Sequence, residues 1–289
     1  MKDFDYAAAT TVDEAVSLLA ARGDRAKLLA GGTDILVQLR ENLREADLVV
    51  DVKRIPELTE LRFTPTSGLR LGAGVPCYQV YENVELAAAY PALADAARII
   101  GGWQIQSRAS IGGNLCNSSP AADSIPALIA LGAKAHVAGP DGRRVVPVEQ
   151  FCTAPGRNVL QRGELLTALE LPPPARHGGS RYQRFIPRNE MDIAVVGTGV
   201  WVRLSDDGRT IAEGRIALGA VGPTPILAAE AGEFLQGRPA TDDTFRRAGE
   251  LARKSARPIS DMRGPAEHRV HLVGVLVARS LAEAVARAT

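Results

Sequence analysis

The chain has 289 residues, with 34 Lys and Arg against 33 Asp and Glu, a formal net charge of +1. That balance excludes the clustered positive charge of a nucleic-acid or polyanion binder, and 4% aromatic residues leave no base-stacking platform. The length suits one or two domains.

Cys77, Cys116 and Cys152 are odd in number and widely spaced, with no C-x-x-C. This argues against a disulfide framework or a Cys-ligated cluster and for a reducing, cytoplasmic setting. The opening MKDFDYAAATTVDEAVSLL carries Asp3, Asp5, Asp13 and Glu14, which does not suit a signal peptide. No apolar run approaches the roughly 18 residues of a membrane span.

In chain order, TTVDEAVSLLAARGD predicts a helix capped by Thr10 or Thr11, with acids in its first turn and Gly23 after its end. KLLA (27–30) predicts a strand running into the turn GGTD. ADLVVDV (46–52) and LRLGAGV (69–75) predict further strands, and a helix is expected around 80–100. SIPALIALGAKAHVA (124–138) reads as a short helix leading into a strand. ELLTALELPPP (164–174) ends the first half, and HGGS (177–180) reads as a linker. MDIAVVGTGVWVRL (191–204) and GRIALGAVGPTPI (214–226) alternate as antiparallel strands joined at DDGR. The remainder is helical, the last helix starting near Pro265, a residue suited to a first helical turn. Without regular β-α-β-α alternation, the class is α+β, with a boundary near residue 176.

Two glycine stretches stand out, LLAGGTD (28–34) and SIGGN (110–114). Glycine lets backbone N–H groups converge on an anion without an intervening Cβ. Two such turns on different segments can close around a pyrophosphate; the plainer reading is two tight turns. Neither is a G-x-G-x-x-G or G-x-x-x-x-G-K-[ST] motif, so a Rossmann or P-loop site is disfavoured. GAG at 72–74 reads as a strand end. His268 and His271 lack companion ligands and read as solvated or capping. Arg181, Arg184 and Arg188 read as a solvated charged loop. No serine nucleophile is indicated.

The order of KLLAGGTDI and SIGGNLCNSSPAAD resembles the FAD-binding subunit of the molybdenum hydroxylases. These include the medium chain of aerobic carbon monoxide dehydrogenases and the flavin domain of xanthine dehydrogenase. RFIPRNEMDIAVVG (184–197) and RPISDMRGPAEHR (257–269) resemble the family's C-terminal signatures, so the resemblance covers essentially the whole chain. It implies a two-part FAD-binding domain of the vanillyl-alcohol-oxidase type over 1–176. A smaller domain with a three-stranded antiparallel sheet and helices follows over 177–289.

The resemblance also implies the site. Lys27, Leu28, Leu29, Ala30, Gly31, Gly32, Thr33, Asp34 and Ile35 would follow the pyrophosphate and neighbouring flavin. Ser110, Ile111, Gly112, Gly113, Asn114, Asn117 and Ser119 would hold the phosphates and ribityl chain, and Asp123 a sugar hydroxyl. Leu166 would contact the adenine side, with Ile100 and Arg184 near the cofactor. Relatives carry an aromatic residue or a lysine at these last two positions. No side chain is expected as a catalytic acid or base, and no metal ligand is expected. The implied partners are a small subunit with two [2Fe–2S] clusters, a large molybdopterin subunit in a dimer of heterotrimers, and an external electron acceptor. The 4-hydroxybenzoyl-CoA reductases carry an additional cluster in this subunit; no cysteine-bearing insertion is present here. The alternatives are a stand-alone flavin enzyme such as the UDP-N-acetylmuramate dehydrogenases, and a scaffold without flavin.

Overall fold

The computed structural model describes residues 2–188 and 191–288. Thr11 caps the helix Val12–Arg22, its Oγ1 accepting from the Glu14 N–H at 3.1 Å. The Glu14 carboxylate reaches back to the Thr10 N–H at 2.8 Å, a reciprocal pairing that satisfies two otherwise orphaned donors. Gly23 ends the helix at φ +54°, a left-handed value that favours glycine. This helix connects the strand Asp5–Ala8 to Ala26–Leu29, and the helix Ile35–Arg40 precedes the strand Leu48–Asp51. Leu48–Asp51 lies between the other two, parallel to both and buried throughout. The unit is thus a small β-α-β-α-β layer, because parallel neighbours need a crossover between them. Its edge strand Asp5–Ala8 has no apolar pattern to announce it, being half-exposed and ending in alanines.

The second layer is an antiparallel sheet in the order Leu61–Thr64, Gly68–Gly72, Leu165–Leu171, Lys134–Gly139, Gly142–Pro147. The largest core packs on it, with Leu69, Leu71, Leu93, Ile111, Leu115, Ile125, Leu128 and Phe151 fully buried or nearly so. The helix expected around 80–100 is three helices, Cys77–Glu82, Val84–Ala89 and Pro91–Ala97. Asn83 caps the second, accepting from the Leu86 N–H at 3.1 Å. Pro91 opens the third, where its missing N–H costs nothing.

The C-terminal part has three long antiparallel strands, Gly178–Phe185, Val196–Leu204 and Thr210–Gly219, as the resemblance implies. Two-residue strands, Ile226–Leu227 and Arg238–Pro239, extend the third. The helices Ala229–Leu235, Asp242–Arg253 and Ala266–Ala288 share a separate core with this sheet. HGGS is not a loose linker: Gly178–Ser180 already belong to the first strand. A Cβ on Gly179 would lie 2.0 Å from the Ala284 carbonyl oxygen, so this glycine serves close strand–helix packing. Gly199 does the same against the helix Ser124–Ala130, where a Cβ would sit 2.3 Å from the Pro126 oxygen. His268 and His271 are exposed on the last helix. Among the described residues no helix is long and apolar enough to cross a membrane.

Candidate functional site: a glycine-walled cleft

A cleft of about 570 Å³ is lined by residues of both sheets, the helix Ile111–Asn117 and the C-terminal part. The sequence-predicted residues that line it are Lys27, Leu28, Ala30, Gly31, Gly32, Thr33, Asp34, Ile35, Ile100, Ser110, Gly112, Gly113, Asn114, Asn117, Ser119, Asp123 and Leu166. Three do not. Leu29 packs with Leu39 and Val49 behind the wall, Ile111 is fully buried in the main core, and Arg184 reaches the cleft only through Asp123.

The first glycine stretch leaves the strand Ala26–Leu29 as an irregular loop. Gly32 takes φ +81°. Among the described residues, the backbone N–H groups of Gly31, Gly32, Thr33 and Asp34 have no protein acceptor. Consecutive unpaired donors in a half-exposed cleft wall are open to water or to an anionic ligand from outside the chain. Gly31 brings this loop against the residues just before the second stretch: a Cβ there would lie 2.0 Å from the Arg108 oxygen.

The second stretch, read as a turn, is the start of a helix. Ser110 caps it, its Oγ accepting from the Gly113 N–H at 3.0 Å. The Gly113 N–H is therefore spent inside the protein, while Gly112 N–H has no acceptor among the described residues. Gly112 packs on the other sheet, with a Cβ meeting the Ala73 oxygen at 2.5 Å. Asn117 Nδ2 lies 3.4 Å from Asp34 Oδ1, linking the two stretches. Asn114 Oδ1 accepts from Ser124 Oγ at 2.6 Å, and Ser119 Oγ from the Ala121 N–H at 3.3 Å.

Asp123 is buried at the cleft wall, 8% exposed. Its two oxygens accept from Tyr182 Oη at 2.8 Å and from Arg184 at 2.7 Å, both on the strand Gly178–Phe185. Burial pushes its carboxyl up to about 6, against the pull of Arg184 and Tyr182. The expected charged loop is thus half wrong. Arg184 is buried with its carboxylate, and Arg181 pairs with Asp95 at 2.9 Å and Glu283 at 2.7 Å. Arg188 meets Asp192 at 3.3 Å; Asn189 and Glu190 of the RFIPRNEMD stretch lie outside the described residues.

Sequence reasoning missed Gln38, Arg44, Gly101, Ile105, Asp192 and Ile193, which also line the cleft. Gln38 and Ile105 sit on the short helices Ile35–Arg40 and Trp103–Gln106, and the other four on connecting segments, so no periodicity marks a face. Gly74 of the GAG run lines it too, so that run is more than a strand end.

Residues 2–174 match the family described as FAD binding domain in molybdopterin dehydrogenase, and residues 181–284 match the CO dehydrogenase flavoprotein C-terminal domain. The chain belongs to this family of FAD-binding subunits. It is 35% identical to the xanthine dehydrogenase FAD-binding subunit of Escherichia coli O157:H7, over 99% of this chain and 98% of that one. It is 32% identical to the carbon monoxide dehydrogenase medium chain of Hydrogenophaga pseudoflava, over 98% of both. A chain of the solved carbon monoxide dehydrogenase from the same organism superposes with a TM-score of 0.94 at 33% identity, covering 99% and 98% of the two chains. A chain of quinoline 2-oxidoreductase from Pseudomonas putida 86 gives 0.91 at 28%, covering 100% of this chain and 99% of that one.

The cofactor of this family of dehydrogenase subunits is FAD, and the cleft's chemistry fits it. The unpaired N–H run of residues 31–34 suits a diphosphate. Asn117, Ser119 and Asp123 offer polar partners for hydroxyls, and Ile100, Ile105, Ile193 and Leu166 offer an apolar wall for rings.

Proposed function

We propose that this flavoprotein is the electron-transfer subunit of a heteromeric molybdenum hydroxylase, exchanging electrons between the [2Fe–2S] clusters of a small subunit and an external acceptor. The observation that carries it is the run of unpaired N–H groups at residues 31–34, packed through Gly31 against the segment that opens the second stretch. The flavin supplies the redox chemistry; the chain supplies binding, orientation and electrostatics. Gly31–Asp34 donate to the diphosphate, with Gly112 N–H completing the cradle. Asn117 and Ser119 meet the ribityl hydroxyls, Asp123 a sugar hydroxyl, and Leu166 the adenine side. Arg184 acts through Asp123, holding its carboxylate in place. The division between cofactor domain and C-terminal domain is proposed near residue 176, and the location as cytoplasmic.

The names medium chain and subunit, carried by relatives that match end to end, support companion chains; the proposal takes the other partner as a large molybdopterin subunit and the assembly as a dimer of heterotrimers. The test is purification with and without co-expressed neighbouring chains. The isolated chain is expected to be yellow, with one FAD per chain and no stoichiometric iron, and inert toward an aldehyde, a purine or carbon monoxide. Co-purification with two other chains is expected to bring substrate-dependent flavin reduction. Steady turnover by this chain alone would favour the stand-alone enzyme instead, and a colourless chain that takes up no FAD would favour the scaffold.

A further inference from the structure

The charged side chains lining the cleft do not balance. Asp123 has Arg184, and Asp192 has Arg188 and Arg263 at 3.3 and 3.9 Å. The Lys27 and Arg44 side chains have no hydrogen-bond or ion-pair partner among the described residues, and only Asp34 remains to oppose them in the cleft. Lys27 is half-buried, so an unmatched ammonium there is poorly placed without an anion. Arg44 is held over the cleft by its backbone: the Leu43 and Arg44 N–H groups both donate to the Gln38 oxygen, at 2.8 and 3.2 Å, where the helix Ile35–Arg40 ends. Its charge reaches both Lys27 and Asp34, the last residue of the free N–H run. It adds to the burial that pushes the Lys27 ammonium down, and it opposes the desolvation that pushes the Asp34 carboxyl up. Arg44 thus lines the same cleft wall as the consecutive backbone donors that await an anion.

We infer that Arg44, together with Lys27, neutralises the diphosphate of FAD, making this short connecting segment a cofactor-selecting element beyond the two glycine stretches. The segment lets the cleft distinguish a phosphorylated flavin from an uncharged one, because backbone N–H groups alone carry only partial charge. The inference rests on the FAD reading of the cleft. Being partly solvent-screened, the contact is expected to be moderate and salt-dependent.

The test uses the full-length protein stripped of flavin. FAD and riboflavin are titrated by fluorescence into wild type, Arg44→Ala, Arg44→Lys and Arg44→Glu, at about 0.05 M and about 0.5 M salt. Arg157→Ala, an exposed cation outside the cleft, is the control. Arg44→Ala is expected to weaken FAD roughly five- to tenfold at low salt and less than about twofold at high salt, as for a screened charge. Riboflavin affinity is expected to stay unchanged. Arg44→Lys should recover most of the loss, Arg44→Glu should exceed it, and Arg157→Ala should match wild type. A low-salt affinity for Arg44→Ala within about twofold of wild type overturns the inference. So does a loss equal at both salts, or one shared by riboflavin, since either means shape or stacking rather than charge. If wild type itself takes up no FAD, the reading of the cleft fails rather than the role of Arg44.

Discussion

Gly31 and Gly32 leave a strand as a loop whose N–H groups are free, whereas Gly112 and Gly113 lie in the first turn of a helix whose cap already uses one of them. In both pairs the first glycine is a contact glycine. Gly31 has the Arg108 oxygen where its Cβ would be, and Gly112 has the Ala73 oxygen. The second glycines differ. Gly32 is fixed by its positive φ, with two leucine methyl groups 3.0 Å from a Cβ. Around Gly113 a Cβ would meet only Ser110 Oγ, at 3.0 Å. Three of the four glycines are therefore explained by the protein's own folding. Gly113 is the one whose missing side chain leaves room at the cleft.

The largest effects should come from the contact glycines. Gly31→Ala and Gly112→Ala each force a methyl group into backbone that cannot swing aside. Overpacking ordinarily costs about 1–3 kcal/mol, and a rigid carbonyl partner places these at or above the top of that range. Thermal unfolding should show a drop of roughly 6–12 °C for each, at about 2–4 °C per kcal/mol. A variant that melts with wild type would mean the two segments are not in close contact.

Gly113→Asp should do the reverse, keeping the fold and losing the cofactor. A carboxylate placed near a diphosphate repels it by on the order of 4 kcal/mol at close range and an effective dielectric near 20. That corresponds to a loss of roughly a hundred- to a thousandfold in affinity. Flavin absorbance per chain after gel filtration, with circular dichroism as folding control, reads both halves. Gly208→Asp, in an open turn at φ +69° with nothing within 4 Å of a Cβ, should leave the flavin ratio unchanged. If Gly113→Asp retains its full yellow colour, the second stretch does not face the phosphates.

These distinctions show what the sequence carries and where it stops. Thr11, Gly23 and Pro91 act locally, so the helix ends they govern can be read from residues near them. The glycine stretches are legible as unusual composition. Whether a glycine serves φ, a backbone contact or a ligand depends on Arg108 and Ala73, which no local pattern connects to Gly31 and Gly112. Arg184 fails for the same reason. Its neighbours look solvated, and only the docking of the strand Gly178–Phe185 beside Asp123 buries it. Arg44 lies in a segment with no period at all.

The segment following the second stretch has a tie that the first lacks, the Asp123 carboxylate held by Tyr182 and Arg184, and its pH dependence can sharpen the contrast. The carboxyl rises from 3.8 to about 6 on folding. A raised value means the folded state binds the proton more tightly. The contribution is fully present below about 4 and is lost as pH climbs through about 6. Asp123→Asn leaves Arg184 buried without its carboxylate and should be less stable throughout. The stability difference, wild type minus Asp123→Asn, should fall by about 2–3 kcal/mol between pH 4 and pH 7. Urea unfolding across that range measures it. A difference that is flat, or that grows with pH, would show that Asp123 is not desolvated at the cleft wall.

Cys116, on the helix that the second stretch opens, tests how much of that helix is wall rather than contact, and its effect should be the smallest. It lines the cleft three residues beyond Gly113. Its backbone oxygen, not its sulfur, accepts from Asn158 Nδ2 at 2.9 Å, so Cys116→Ser leaves that bond intact. Burial pushes the thiol up to about 12, with the nearby Cys152 adding to it. At pH 8 the sulfur is therefore a protonated, apolar surface and not a nucleophile. Serine replaces that surface with a hydroxyl needing a partner, which should cost about 1 kcal/mol of stability. Flavin content per chain should be unchanged. Iodoacetamide at pH 8 should modify wild type no faster at this position than at buried Cys77, whose thiol also lies at about 12. Rapid alkylation of Cys116 accompanied by release of flavin would make the sulfur a cofactor contact, and would move the working surface of the second stretch from its glycine backbone to its side chains.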